Sequence, residues 1–120
     1  MAEPKTRRVI NCDTGAVLAE RAELASSFLA RFVGLMGRPG LRPGGGLVII
    51  PCNSVHMFFM RFPLDILHLD KEGRVLRALP DLKPWSVGPI VRGSHAVVEL
   101  PAGTIAATGT RAGHRIELEP

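Results

Sequence analysis

Residues 64–79 read LDILHLDKEGRVLRAL. Asp65, Leu67 and Leu69 alternate with Leu64, Ile66 and His68, so the first six residues predict a strand with one set on each face. Asp70, Lys71, Glu72 and Gly73 form a turn signal, because glycine takes a positive φ without a Cβ penalty. Residues 75–79 then predict the return strand of a hairpin.

The flanking sequence extends this β pattern. Residues 7–19 predict a first hairpin around Asp13-Thr14-Gly15. Ser27 is suited to cap a helix over residues 27–36, with Phe28, Phe32, Leu35 and Met36 as its apolar stripe. Leu24 extends the stripe if the helix begins early. Gly37 and Pro39 end it. Residues 39–46 are a Pro/Gly-rich loop opening an apolar strand over residues 47–50, without the Lys and Ser/Thr a phosphate-binding loop requires. Residues 81–93 read as irregular and carry the single Trp, Trp85. Strands follow over residues 96–100 and 115–118, with a short helical turn at 104–108. The expected fold is mainly β: a compact sandwich or partial barrel of six to eight short, mostly antiparallel strands, with one N-terminal helix and a short C-terminal helical turn.

The chain has 120 residues, 46% apolar and 22% charged, which fits one domain over residues 7–120 after a flexible stretch at 1–6. That apolar content excludes intrinsic disorder. No run approaches the roughly twenty apolar residues a membrane-spanning helix needs. Residues 1–6 are polar and lack the apolar core of a signal peptide, so the expected compartment is the cytoplasm. Cys12 and Cys52 form no Cys-x-x-Cys pair and read as reduced, buried small hydrophobes. The net charge of +4 rests on 12 Arg against 3 Lys. Either anion binding through the guanidinium fork or coding composition accounts for that excess.

Asp65 is the first candidate for chemistry, since a carboxylate on an apolar face needs a partner. It reads either as half of a buried ion pair with Arg61 or Arg38, or as a general base or ligand anchor. Cys52, His56, Met57 and Met60 hold soft-metal ligand types. In an extended segment, however, Met57 and Met60 point to opposite faces, so no metal is expected. His56 heads an apolar run and is either a satisfied core histidine or an acid/base group. Glu99, which faces the same way as Val97 on its strand, is a third candidate and reads either as a carboxylate carrying chemistry or, more simply, as a solvent-facing edge residue. No nucleophile elbow and no zinc spacing occur. Nucleic-acid binding is disfavoured, because the arginines are scattered and few aromatic side chains are left for base stacking.

Several motifs together resemble one known family. They are Arg31 with Gly34-Leu35-Met36 and Arg38, the Gly46-Leu47 strand start, His56 through Met60, and Phe62-Pro63-Leu64-Asp65. Leu69-Asp70 with Gly73, Pro84-Trp85, and Glu99-Leu100-Pro101-Ala102-Gly103 complete the set. Across residues 7–118 the chain resembles the domain of unknown function 192 family of bacteria and archaea. The resemblance implies a compact β-rich domain with one N-terminal helix and no established activity. Many members carry Trp-Met-Lys-Asn-Thr where this chain has Phe59-Met60-Arg61, which removes any polar role for that Asn or Thr. His68 replaces a common Phe and reads as a surface or edge change.

The shared polar set, with Trp85 over it, predicts a ligand-binding cleft lined by Arg31, Arg38, His56, Arg61, Asp65 and Trp85. The expected function is a non-catalytic binding domain for a small anionic molecule or a protein partner, with no cofactor, metal or membrane. The alternatives are a small hydrolase or transferase using His56 and Asp65, and a nucleic-acid-associated protein.

Overall fold

The computed structural model describes residues 5–26 and 34–120. They form β1 (Thr6–Asn11), β2 (Val17–Ala25), β3 (Gly45–Ile49), β4 (Leu64–Leu69), β5 (Val75–Leu82), β6 (Ala96–Pro101), α1 (Thr104–Thr108) and β7 (Ile116–Glu119). The strands join one sheet in the order β5-β4-β6-β3-β2-β1-β7. β2 and β3 pair in parallel, and the other neighbours pair antiparallel. The architecture is thus a single curled half-barrel and not a two-sheet sandwich.

The expected N-terminal helix falls mainly on residues outside those described. Residues 27–33, with Ser27, Phe28, Arg31 and Phe32, lie outside the described residues, and residues 34–37 form a turn. Leu24 belongs to β2. The one helix among the described residues is α1, at the position of the expected helical turn. The predicted hairpin is β4–β5, with β4 at the expected bounds and β5 three residues longer.

Strand alternation sorts the core into two faces. Leu67 and Leu69 of β4, Val98 and Leu100 of β6, Val48 of β3 and Val9 of β1 pack with Val75 and Ile116 inside the curl, where Ile105 of α1 packs against them. On the other face Leu64 and Ile66, Leu47 and Ile49, and Val97 pack beneath Leu35, Val55, Met57 and Met60.

The curl brings the start of β5 to the start of β7. The Val75 amide donates to the His114 carbonyl, and the Ile116 amide donates to the Gly73 carbonyl, each at 2.8 Å. Gly73 holds φ at 86°, and a Cβ there would lie 2.5 Å from the Ile116 carbonyl oxygen. Only glycine meets both constraints. Gly73→Ala is expected to lose about 3 kcal/mol of stability in urea unfolding, combining left-handed strain with that overlap.

Candidate functional site

Asp65 is fully buried on the inner face, beside Leu67. Its Oδ1 accepts the Asp81 amide at 2.9 Å, and its Oδ2 accepts the amides of Gly103 at 3.1 Å and Ile105 at 2.8 Å. The carboxylate is therefore held by backbone donors, neither by an arginine nor by a cleft. Those bonds act on geometry. Asp81 sits at φ 53°, where the β4–β5 register shifts between the Leu64 and Ile66 pairs. The bulge leads β5 into Lys83, Pro84 and Trp85.

Arg38 is also engaged. Its guanidinium donates to both Glu23 carboxylate oxygens, at 2.8 and 3.3 Å. That bond pulls the Glu23 carboxyl below its usual range and raises the arginine. The pair borders an open groove of about 800 Å³ running along residues 38–46, whose wall mixes Glu20 and Glu23 with Arg21 and Arg42. Arg61 is exposed beside Met60. The expected common cleft is corrected accordingly: Asp65 lies on the inner face, Arg38 borders this groove, and His56 lines a different cavity.

That second cavity, about 50 Å³, is walled by Gly34, Leu35, Met36, Ile49, Cys52, Ser54, Val55, His56, Met60, Leu64 and Glu99. Glu99 is the residue that the strand sequence hid. It is only 6% exposed. β6 lies between β4 and β3, with Glu99 opposite Ile66 on one side and Leu47 on the other, so the expectation of a solvent-facing edge is overturned. Glu99 has no hydrogen-bond partner among the described residues. Burial pushes its carboxyl up to about 7, and the charge of Arg38 offsets this only in part.

His56 connects this cavity to the surface. Its ring meets Phe58 at 5.3 Å, Phe58 meets Trp85 at 6.3 Å, and Phe59 meets Trp85 at 4.9 Å between centroids. Phe59 and Trp85 are each 60% exposed, with Val87 and Ile90 more so. Phe59 and Trp85 are held at φ 62° and 65°. The Trp85 amide donates to the Met57 carbonyl at 2.6 Å and the Met57 amide to the Ser86 carbonyl at 2.7 Å. An antiparallel bridge between His56 and Val87 continues this pairing. Because residues 58–59 turn, Met57 and Met60 both enter the same outer-face core instead of pointing to opposite faces.

His68 is buried in full, which corrects its surface assignment. The Ser94 hydroxyl donates to the Cys52 carbonyl at 2.8 Å, so it accepts from His68 Nδ1 at 2.9 Å. Nε2 is left as an acceptor without a partner among the described residues. Burial holds this imidazole below its usual pKa. Cys12 is exposed and Cys52 half-buried, and neither is in a disulfide, so only Cys52 approaches the expected burial. Among the described residues, no three His, Cys, Asp or Glu side chains are placed to share a metal ion.

The profile of domain of unknown function 192, described as "Uncharacterized ACR", matches residues 9–118. The chain belongs to this family. The "UPF0127 protein" of Pyrococcus furiosus is 32% identical over 115 residues, covering 91% of this chain and 96% of that one. That of Thermococcus sibiricus is 31% identical over 116 residues, covering 92% and 74%. A Novosphingobium aromaticivorans protein of unknown function superposes with a TM-score of 0.83 at 24% identity, covering 97% of this chain and 93% of that one. A Sinorhizobium meliloti protein described as a candidate transcription regulator gives 0.80 at 25% identity, covering 98% and 97%. Membership of the domain of unknown function 192 family thus accounts for the fold and assigns no activity. Among the described residues no helix is long and apolar enough to cross a membrane.

Two stability predictions follow from these carboxyls. Asp65→Asn replaces an oxygen acceptor by an amide donor against backbone N–H groups, and is expected to cost about 3 kcal/mol in urea unfolding. For Glu99 the folded value near 7 lies above the ordinary 4.5, so the native state binds the extra proton between those values. Its contribution is complete below about pH 4.5 and is lost as pH rises through 7. Relative to Glu99→Gln, the wild type should lose on the order of 3 kcal/mol between pH 4.5 and 8. His68 acts in the opposite sense, since the unfolded chain takes up its proton as pH falls. Both proteins share that effect, so it cancels in the difference.

Proposed function

We propose that this domain is a non-catalytic binding module that docks a segment of a protein partner on the rim formed by Phe58, Phe59, Trp85, Val87 and Ile90. The observation that carries this reading is the exposed aromatic cluster, two of whose members are held at positive φ by backbone hydrogen bonds. Apolar side chains left in water on fixed backbone are disfavoured unless something covers them. Rigid aromatic anchors also lose little entropy on binding.

Catalysis by His56 and Asp65 finds no support, because Asp65 spends its oxygens on three backbone amides on the face away from His56. A small anion is disfavoured by Glu99 in the cavity, while the groove sets Glu20 and Glu23 against Arg21, Arg38 and Arg42 and so presents no concentrated positive charge. The description of the Sinorhizobium meliloti neighbour would call for nucleic acid. That role predicts a continuous arginine face. Here Arg8 and Arg38 are tied to Glu119 and Glu23, leaving Arg61 and Arg92 as the arginines on the two rim segments. A reducing compartment, the cytoplasm, fits two cysteines that are not joined in a disulfide.

Peptides selected from a random library on the wild-type protein should bind at least tenfold more weakly to Trp85→Ala and Phe59→Ala, measured by fluorescence polarisation, with both variants folded. Selected peptides that bind all three proteins alike would overturn the reading. So would a single-stranded oligonucleotide that binds the rim with steep salt dependence while no peptide does. A concentration-dependent dimer abolished by Trp85→Ala would assign the rim to a second copy of the chain instead.

A further inference from the structure

Glu99 is a charged group in an unusual place. It stands on a central strand, 94% buried by its 6% exposure, without a hydrogen-bond partner among the described residues, and it forms part of the wall of a cavity. A buried carboxyl left unpaired carries a desolvation penalty that a packed core would avoid. The cavity gives it an outlet. His56 and Cys52 face it from the segment after β3, and Arg38 influences it from beyond the turn at residues 34–37. Arg38 is itself held by Glu23. A shared metal ion would need three hard or imidazole ligands, which the described residues do not bring together.

His56 links the cavity to the aromatic rim. His56 lines the cavity and stacks on Phe58, which meets Trp85. A carboxylate in a cavity whose wall includes His56, itself in contact with the Phe58–Trp85 chain of rings, matches one ligand chemistry: a cationic head with N–H donors on an aliphatic stem. The head pairs with the carboxylate while the stem lies against the rings. A volume of about 50 Å³ admits a head of a few heavy atoms, given that one water needs ~10–15 Å³ by this measure.

We infer that the Glu99 cavity binds the ammonium or guanidinium end of a basic side chain, whose stem crosses the His56–Phe58–Trp85 rim. This rests on the docking reading for the source of that side chain, and not for the pocket itself. Binding selects ionised Glu99 and releases its proton.

The probes are n-butylammonium and n-propylguanidinium, with butan-1-ol as the neutral match and tetramethylammonium as the cation without N–H donors. Backbone amide shifts at Leu35, His56 and Glu99, with Trp85 fluorescence, report binding. At least one of the two basic probes should bind tenfold more tightly than butan-1-ol and tetramethylammonium. Its affinity should rise about tenfold from pH 6 to 8, following the ionised fraction of a group that titrates near 7. Glu99→Gln should abolish the preference for the charged probe and the pH slope. His56→Gln should keep that slope. Phe58→Ala, on the exposed rim, should weaken binding several-fold without unfolding the core.

Butan-1-ol binding as tightly as both basic probes, no binding by either, or unchanged affinity in Glu99→Gln would each overturn the inference. Selected peptides that dock on the rim but ignore Glu99→Gln would overturn the pocket and leave the docking reading standing. A basic probe that binds wild type while no peptide docks would do the reverse.

Discussion

The Asp65 carboxylate is the constraint on which the geometry of this domain turns. Three backbone amides from two distant stretches converge on it, at Asp81 and at Gly103 and Ile105. One arm fixes the bulge in β5, and the other fixes the entry into α1. A buried carboxylate cannot be left with unfilled acceptors, so both stretches must come to it. The bulge sets where β5 ends and hence where Pro84 and Trp85 are delivered. Trp85 then reaches the Met57 carbonyl and completes the rim. A residue that touches no ligand thereby sets the position of the proposed docking surface.

The opposite face carries the opposite arrangement. Asp65 pairs across the ladder with Leu100, and Ile66 with Glu99. The one-residue offset between neighbouring strand positions puts the two acids on different sides of a single sheet. Inside the curl, backbone donors satisfy Asp65. On the outer face Leu35, Val55, Met57 and Met60, whose side chains supply no N–H or O–H donors, pack above β6, and among the described residues no hydrogen bond reaches Glu99 from Cys52, Ser54 or His56 in the cavity wall. Glu99 therefore keeps its proton to higher pH, while the cavity leaves room for an outside donor. The contrast is one of supply: three amides converge on Asp65, and no described residue donates to Glu99.

What could be read from the sequence follows the range of the interactions. The β4–β5 hairpin was legible because alternation and the turn at Asp70 to Gly73 are local. The facing of Asp65 with Leu67 and of Glu99 with Val97 was legible for the same reason. Which strands stand at the edge was not, because it depends on pairing between β6 and two strands far away in sequence. That gap turned Glu99 into a surface residue on paper and His68 likewise. The partners of Arg38 and Asp65 were hidden in the same way, one being a glutamate on β2 and the others bare backbone amides. Trp85 stood out by its rarity and through the Pro84-Trp85 motif. Its exposure depended on the bulge, which strand propensities do not announce.

The arginine excess bears on selectivity at the proposed pocket. A net charge of +4 and the exposed Arg61 and Arg92 create a field that repels cations approaching the rim. Segments 52–63 and 84–95, which carry the rim, contain no acidic residue. A simple cation gains only the attraction of one half-ionised carboxyl against that field. A basic side chain with an apolar stem gains in addition the burial of its methylenes on Phe58 and Trp85, at about 0.8 kcal/mol for each CH₂ removed from water. Discrimination then rests on the repulsive surroundings as much as on the attractive floor. On this reading the arginines need not touch the ligand to matter: they make the aromatic contacts a requirement for entry.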